Sequence, residues 1–353
     1  MFLWWKHNQP VFFLENFLKR GYAMRKLLLG TTALAAAATL SANAALADVS
    51  ISGYYEWKYQ STGSTATARD GTSFSSDSEI TFNFTNKTDS GLEIGMVAEL
   101  TSDEGNGDTT TANKQADGYF DETSLSIAGG FGKIVLGSND HVGDNYGVSS
   151  TDLPAEEIYT AGSDSLTIHG ADIADLGDAN KIAYHLPAMG GLSAGVSYED
   201  SGANGSADIT AVGAKYAMEA GGASITIGAA TATKEASSQD IDTQVIGLKV
   251  SSGNITAALS QATYEASSQD EESNGASVSF KVSDGLTVTA HTVETDDSST
   301  SEEYSNSGVE VAYTIASGLT AYINVEDYDY KIGTSTSDAD NGTVSKLTIK
   351  ATF

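Results

Sequence analysis

A period-two alternation of apolar and polar residues runs along the chain from residue 49 to its end, and it constrains the fold more than any other feature. Val49, Ile51 and Tyr55 share one side of the first such segment, and Ser50, Ser52 and Glu56 share the other side. Neighbouring side chains of a β-strand point to opposite faces, so the pattern predicts strands with one apolar and one polar face. The sixteen predicted strands are 49–60, 78–86, 91–101, 118–129, 132–138, 179–187, 191–199, 207–218, 222–234, 240–250, 253–265, 274–283, 286–294, 306–315, 318–330 and 342–353.

The connections between these strands alternate between short turns and long polar segments. Short turns fall at 219–221, 251–253, 283–285 and 316–318, and long connections are predicted at 61–77 and 330–341. Most predicted strands have about 9–13 residues, enough to cross a bilayer when tilted. An even number of such strands, with short turns at one end and long loops at the other, is typical of an outer-membrane barrel. We predict an all-β fold, a 16-stranded antiparallel transmembrane β-barrel. A soluble β-sandwich also alternates, but it seldom needs sixteen strands.

Charge and composition exclude several classes of function. The formal net charge is -29 and the pI is about 4.2, so nucleic acid is excluded as the main partner, because binding phosphates requires a basic surface. The chain has no Cys, which excludes disulfides, thiolate nucleophiles and Cys-ligated metal sites. Arg69 is the one Arg after residue 47.

The first 47 residues are predicted not to be part of the folded domain, and residues 24–47 have the features of a targeting segment. Arg25 and Lys26 precede an apolar stretch at 27–40, and an Ala-Leu-Ala cleavage site ends at Ala47. We therefore predict a signal peptide at 24–47, a mis-called N-terminal extension at 1–23, and a single transmembrane pore domain at 48–353.

The C-terminal strand and several internal motifs resemble those of a known family. A chain that ends in a strand with a final Phe, here Phe353, resembles the recognition signal for outer-membrane barrel assembly. The motifs are similar to those of Gram-negative general porins of the Rhodobacter-like alphaproteobacterial type. They are VSISG at 49–53, TDSGLEIG at 88–95, FGKIVLG at 131–137, Tyr184, Pro187, GLSAG at 191–195 and Phe353.

This resemblance implies a homotrimer in the bacterial outer membrane that lets small hydrophilic solutes and ions diffuse passively. The implied partners are a second and third copy of the chain, outer-membrane lipid or lipopolysaccharide, and the barrel assembly machinery. The family also implies a long constriction loop after strand 5 that folds into the lumen, here residues 138–179. Its acidic residues are Asp140, Asp144, Asp152, Glu156, Glu157, Asp164, Asp172, Asp175 and Asp178.

The charges expected on the pore wall depart from the family, whose members usually oppose the acidic loop with a basic cluster. Strand parity places one set on the wall of the first strands: Glu56, Lys58, Asp77, Glu79, Glu93, Glu99 and Glu122. The other basic residues with inward parity are Lys133, Lys181, Lys215, Lys249, Lys281, Lys346 and Lys350. Because carboxylates attract cations and repel anions, we expect a cation-selective pore.

No cofactor is required by this interpretation, but acidic loops are candidates for Ca²⁺, which prefers oxygen ligands. Asp338, Asp340 and Asn341, in the predicted loop at 330–341, form one such group, although no EF-hand spacing occurs. The metal assignment stays open.

Three alternative functions remain at this point. A substrate-specific channel would need aromatic residues along the lumen, and Tyr54 and Tyr322 have inward parity. A barrel hydrolase would draw on the four His residues of the barrel, although no motif such as G-x-S-x-G or H-E-x-x-H occurs. These residues are His141, His169, His185 and His291. The third alternative is a non-conducting structural or adhesive barrel.

Overall fold

The computed structural model describes residues 48–65, 70–104, 120–160, 166–168, 170–177, 179–200, 207–235, 240–333 and 335–353. The predicted extension and signal peptide lie outside the described residues. The strands are β1 (Asp48–Ser64), β2 (Gly71–Lys87), β3 (Glu93–Glu104), β4 (Thr123–Gly129), β5 (Gly132–Ser138), β6 (Asn180–His185), β7 (Leu192–Glu199), β8 (Asp208–Ala220), β9 (Ala223–Glu235), β10 (Ile241–Ser252), β11 (Ile255–Ala266), β12 (Gln269–Ser283), β13 (Leu286–Asp297), β14 (Glu302–Ala316), β15 (Leu319–Ile332) and β16 (Ser335–Thr352).

These sixteen strands form one closed antiparallel barrel, as the alternation predicted. Each strand pairs with its neighbours in the sequence, and β1 pairs with β16 to close the sheet. In that closing pair Glu56 lies opposite Lys350, and the backbone N–H of Phe353 donates to the carbonyl of Gly53 at 3.0 Å. Closure gives each described strand a hydrogen-bonded neighbour on both sides. Among the described residues, no helix is long and apolar enough to cross a membrane.

The two faces of the barrel wall differ in chemistry. The outer face exposes large apolar side chains such as Ile51, Ile246 and Leu259. The inner face carries mostly polar side chains and small residues, and the segment between β5 and β6 packs against it. This segment contains the five-residue helix α1 (Val142–Tyr146) and a 3-10 helix at Ser150–Asp152.

Several strands extend further than the apolar pattern indicated, and the two predicted long connections are wrong. β2 already begins at Gly71, β15 ends at Ile332, and β16 begins at Ser335. Asp340 therefore lies on β16 and not in a loop. Its carboxylate accepts hydrogen bonds from the hydroxyls of Ser64 at 2.6 Å and Tyr328 at 3.0 Å. In such extensions both faces are polar, so the alternation disappears while the hydrogen-bonded ladder continues.

Candidate pore constriction

The segment between β5 and β6, here called the inner loop (residues 139–179), follows the inner wall away from β6. The N–H of Val142 donates to the hydroxyl of Ser197 on β7 at 3.1 Å, and that of Ser150 donates to Ser260 on β11 at 2.8 Å. Farther along, the N–H of Glu156 donates to the Glu310 carboxylate on β14 at 2.9 Å. The loop thus passes across most of the inner wall, and wall side chains satisfy its backbone donors.

The returning part of the inner loop is held in the same way. The N–H groups of Thr167 and Ile168 both donate to the buried carboxylate of Glu271 on β12, at 2.9 Å. Closer to β6, the N–H of Ala174 donates to Thr243 on β10 at 3.0 Å. The loop is therefore bonded to the wall on both passes.

Inward-facing glycines allow the inner loop to lie this close to the strands. A Cβ at Gly247 on β10 would lie 1.8 Å from the carbonyl oxygen of Val148, and one at Gly275 on β12 would lie 2.0 Å from the hydroxyl oxygen of Ser150. Gly213 and Gly228 are similarly approached by Tyr146. We call these four glycines, Gly213, Gly228, Gly247 and Gly275, the glycine track. The sequence analysis did not identify it, although glycines inside strands often mark places where another backbone approaches closely.

The base of the inner loop is fixed by Lys181 on β6. Its buried ammonium lies 3.6 Å from the Glu199 carboxylate on β7. It also donates to the carbonyl of Asn139 at the start of the loop and to that of Gly177 near its end, the latter at 3.1 Å. One lysine thereby joins the two ends of the loop to the wall.

The acidic residues of the loop fall into two groups. Near the base, the charges of Asp140, Asp172 and Asp175 all act on Asp144. Asp152, at the end of the 3-10 helix, acts electrostatically on Asp172. Asp164 and Asp178 lie outside the described residues. The second group consists of Glu156 and Glu157, on the far side of the barrel near β16 and β1.

The Asp144 carboxyl and the imidazole ring of His141 are in close contact. The Asp144 carboxyl lies 3.2 Å from Nδ1 of His141, which also accepts the N–H of Gly143 at 3.1 Å. Burial, followed by the charges of Asp140, Asp172 and Asp175, raises the pKa of Asp144 to about 8. Burial lowers the pKa of His141. A protonated Asp144 donating to a neutral imidazole is consistent with both observations.

Glu156 is the inner-loop carboxylate that contacts β1. Its side chain is 2% exposed, and its Oε2 lies 3.2 Å from the ammonium nitrogen of Lys58 on β1. Lys58 also lies 3.3 Å from Glu56, which in turn lies 3.2 Å from Lys350. The result is a chain of alternating charges. Glu157 is exposed, and its backbone carbonyl accepts a hydrogen bond from Lys346.

The remaining predicted wall acids lie on β2, on β3 and immediately before β4. Asp77 accepts from the Tyr54 hydroxyl at 2.7 Å, and Glu79 accepts from Thr81 at 2.8 Å. The charges of Glu79, Asp121 and Asp140 all act on the carboxylate of Glu99, so the structure brings wall and loop acids together here. Two of the predicted wall residues do not belong to this cluster of acids. Glu93 is exposed beside the short turn, 2.8 Å from Lys87, and Glu122 lies just before β4, where its carbonyl accepts the N–H of Glu99.

The inward lysines are distributed unevenly in the described part of the barrel. Lys58, Lys346 and Lys350 gather on β16 and β1, each within 3.3 Å of a carboxylate. Lys281 pairs with Asp284 at a turn, at 2.9 Å. Lys133, Lys215 and Lys249 lie on β5, β8 and β10. The sector at Asp77, Glu79 and Glu99 is acidic, whereas the sector at β16 and β1 is an ion-pair network.

The closed 16-stranded barrel with an inner loop after β5 agrees with the protein family that the sequence matches. The profile of the Gram-negative porin family matches residues 30–333. The chain belongs to the Gram-negative porin family. The porin is thus an outer-membrane β-barrel channel. No curated protein matches it in sequence.

Solved porin structures share the fold at low sequence identity. An anion-selective porin from Comamonas acidovorans is 18% identical, with a TM-score of 0.62, over 87% of this chain and 100% of that chain. A triple mutant of the Rh. blastica porin is 17% identical, with a TM-score of 0.61 and the same coverage. A loop-deletion mutant of OmpT from Vibrio cholerae is 13% identical, with a TM-score of 0.60, over 87% of this chain and 99% of that chain.

Within the described ranges, the porin brings together no group of three or more His, Asp or Glu side chains suited to hold a metal ion. The three described His residues are engaged in other contacts. His185 Nδ1 lies 2.8 Å from the Tyr146 hydroxyl, and His291 Nε2 lies 3.1 Å from Asn306 Oδ1. His169 lies outside the described residues.

Proposed function

We propose that this porin is a general diffusion channel for small hydrophilic solutes and ions, with a preference for cations. The observation that carries the proposal is the uneven charge of the inner wall. On β2 and β3, the carboxylate of Glu99 is acted on by the charges of Glu79 and of Asp140 of the inner loop, whereas the inward lysines of β16 and β1 are neutralised by carboxylates. A narrow passage along the acidic sector concentrates cations and repels anions.

The sign of the selectivity follows from this chain's own side chains and not from the fold. The Comamonas porin with the same architecture is named as anion-selective. The fold alone therefore does not set the sign of the selectivity, and we expect the charge of the lining to decide which ion is preferred.

The test is the zero-current potential of the purified porin in a planar bilayer under a KCl gradient. We expect a potential of the sign given by K⁺ permeation, and a smaller potential for the double variant Glu79→Gln/Glu99→Gln. The matched control is Glu294→Gln/Glu303→Gln, which removes two exposed carboxylates from the outer face. An anion-sided potential in the wild type would overturn the proposed preference, and folded protein without conductance would overturn the open channel.

Vesicle-swelling rates measure solute specificity in the same preparation. A general channel lets sugars pass at rates that fall smoothly with their size, whereas a substrate-specific channel favours one sugar over others of equal size. Conductance steps in groups of three would support the proposed homotrimer. An unfolding temperature that is the same with and without Ca²⁺ would count against the proposal that acidic loops bind this ion.

A further inference from the structure

Glu310 is a buried carboxylate whose described hydrogen-bond donors are backbone N–H groups of the inner loop. Its residue is 2% exposed, at the middle of β14. The N–H of Ala155 lies 3.0 and 3.1 Å from its two oxygens, and the N–H of Glu156 lies 2.9 Å from Oε2. The nearby lysines of the described wall pair with other carboxylates: Lys58 with Glu56 and Glu156, Lys346 with Glu326, and Lys350 with Glu56.

A carboxylate in this position is costly unless its hydrogen bonds replace water. Two amide donors from consecutive residues provide such bonds, and charge-assisted bonds are stronger than neutral ones. Because one oxygen receives both donors, the carboxylate fixes the position of the Ala155–Glu156 peptide relative to β14. The backbone of Glu156 is thereby held against β14, four strands around the barrel from β2.

The side chain of Glu156 extends from this fixed peptide to Lys58 on β1. The carboxylate and the ammonium lie 3.2 Å apart, and the Glu156 side chain is almost completely buried whereas that of Lys58 is 23% exposed. If the peptide moved away, Lys58 would lose this carboxylate and present more of its positive charge to the lumen.

We propose that Glu310 is a positioning residue for ion selectivity: it holds the loop backbone so that Glu156 stays beside Lys58 and neutralises it. This inference rests on the proposed channel function. Glu310 acts through Glu156 and does not itself need to touch a passing ion.

A mutant cycle of Glu310→Ala and Glu156→Gln tests this coupling through the K⁺-to-Cl⁻ permeability ratio, obtained from the zero-current potential. Both single variants expose Lys58, so each should lower the ratio about twofold or more, the size expected of one added charge near a permeating ion. Glu310→Ala should cause no further decrease in the Glu156→Gln background. An equal decrease in both backgrounds, or no decrease in either, would overturn the inference.

Glu310→Gln separates the position of the loop from the charge of the side chain. A glutamine oxygen in the place of Oε2 still accepts from both amides, and only the contact of Ala155 N–H with Oε1 is lost, so this variant should keep most of the wild-type ratio. A decrease as large as that of Glu310→Ala would show that the buried charge matters and not the hydrogen bonds, and would overturn the positioning role. Glu303→Ala, an exposed carboxylate on the same strand, is the matched control.

Heat-modifiable electrophoretic mobility verifies that each variant forms a barrel. If Glu310→Ala does not fold, Glu310→Leu replaces it in the cycle, since leucine fills the space without an acceptor, and the Glu310→Gln comparison is unaffected. Failure of the proposed function is distinguishable, because it changes the sign of the wild-type potential while the coupling between Glu310 and Glu156 is measured as a ratio within the series.

Discussion

The ammonium nitrogen of Lys346 lies 2.9 Å from a carboxylate oxygen of Glu326, and the two side chains are 5% and 0% exposed. Glu326 also accepts the N–H of Tyr159 at 2.7 Å and the amide of Asn306 at 2.8 Å. Lys346 donates in addition to the backbone carbonyl of Glu157. The pair therefore joins β15 and β16 to two points of the inner loop.

Removing only the lysine should be strongly destabilising. Lys346→Met leaves the Glu326 charge buried without its cation, and we expect a loss of about 3 kcal/mol in the free energy of unfolding. Urea unfolding in detergent micelles, followed by tryptophan fluorescence, measures this loss. The double variant Lys346→Met/Glu326→Gln removes both charges and should recover most of it. A double variant less stable than the single variant would contradict this account.

The strands could be predicted from the sequence because their apolar outer face imposes a period of two. Residues such as Ile246 and Leu259 gave that signal, and it located all sixteen strands. The polar extensions of β12, β13 and β14 could not be found in the same way. Their inner positions Glu271, Asp297 and Glu302 and their outer positions Glu272, Asp296 and Glu303 are all acidic, so no apolar outer face exists there.

The course of the inner loop could not be predicted from the alternation of apolar and polar residues, for a different reason. Its anchors join residues far apart in sequence, such as Glu156 to Glu310 and Ser150 to Ser260. Strand parity indicates that a side chain faces inward but not which loop atom it meets. The length of the loop and its acidic residues were predictable, whereas the carboxylates and glycines that receive it required coordinates.

Gly247 should not tolerate a side chain. A Cβ there would lie 1.8 Å from the Val148 carbonyl, so Gly247→Ala must displace the loop or the strand. We expect a destabilisation of about 1–3 kcal/mol, as for other overpacked sites, together with an altered single-channel conductance. The control is Gly63→Ala on β1, where the nearest atom would be 3.9 Å away. Equal effects of the two substitutions on conductance would show that the glycine track does not position the loop.

Lys181 should be essential for holding the two ends of the inner loop together. Lys181→Met removes the donor to Asn139 and Gly177 and leaves Glu199 without this buried cation. We expect faster proteolysis within the loop and noisier single-channel currents. Lys281→Met removes an exposed lysine at a turn and serves as the control. Unchanged proteolysis of the Lys181 variant would contradict the proposed anchor.

Asp144 should make the selectivity depend on pH in the alkaline range. Its pKa of about 8 means that it is mostly protonated at neutral pH and gains a negative charge as the pH rises toward 9, beside Asp140, Asp172 and Asp175. The K⁺-to-Cl⁻ permeability ratio should therefore increase between pH 7 and about 9. Asp172 has a pKa near 6 and is ionised before this window begins.

Asp144→Asn should abolish this increase, because asparagine keeps the donor to His141 and does not ionise. The same variant tests stability. The folded pKa lies above the ordinary aspartate value of 3.8, so the wild type should lose stability as the pH rises from about 4 to about 8, and the variant should lose less. Glu157→Gln removes an exposed loop carboxylate and should leave the alkaline change in place. A pH profile identical in wild type and Asp144→Asn would rule out Asp144 as the titrating group.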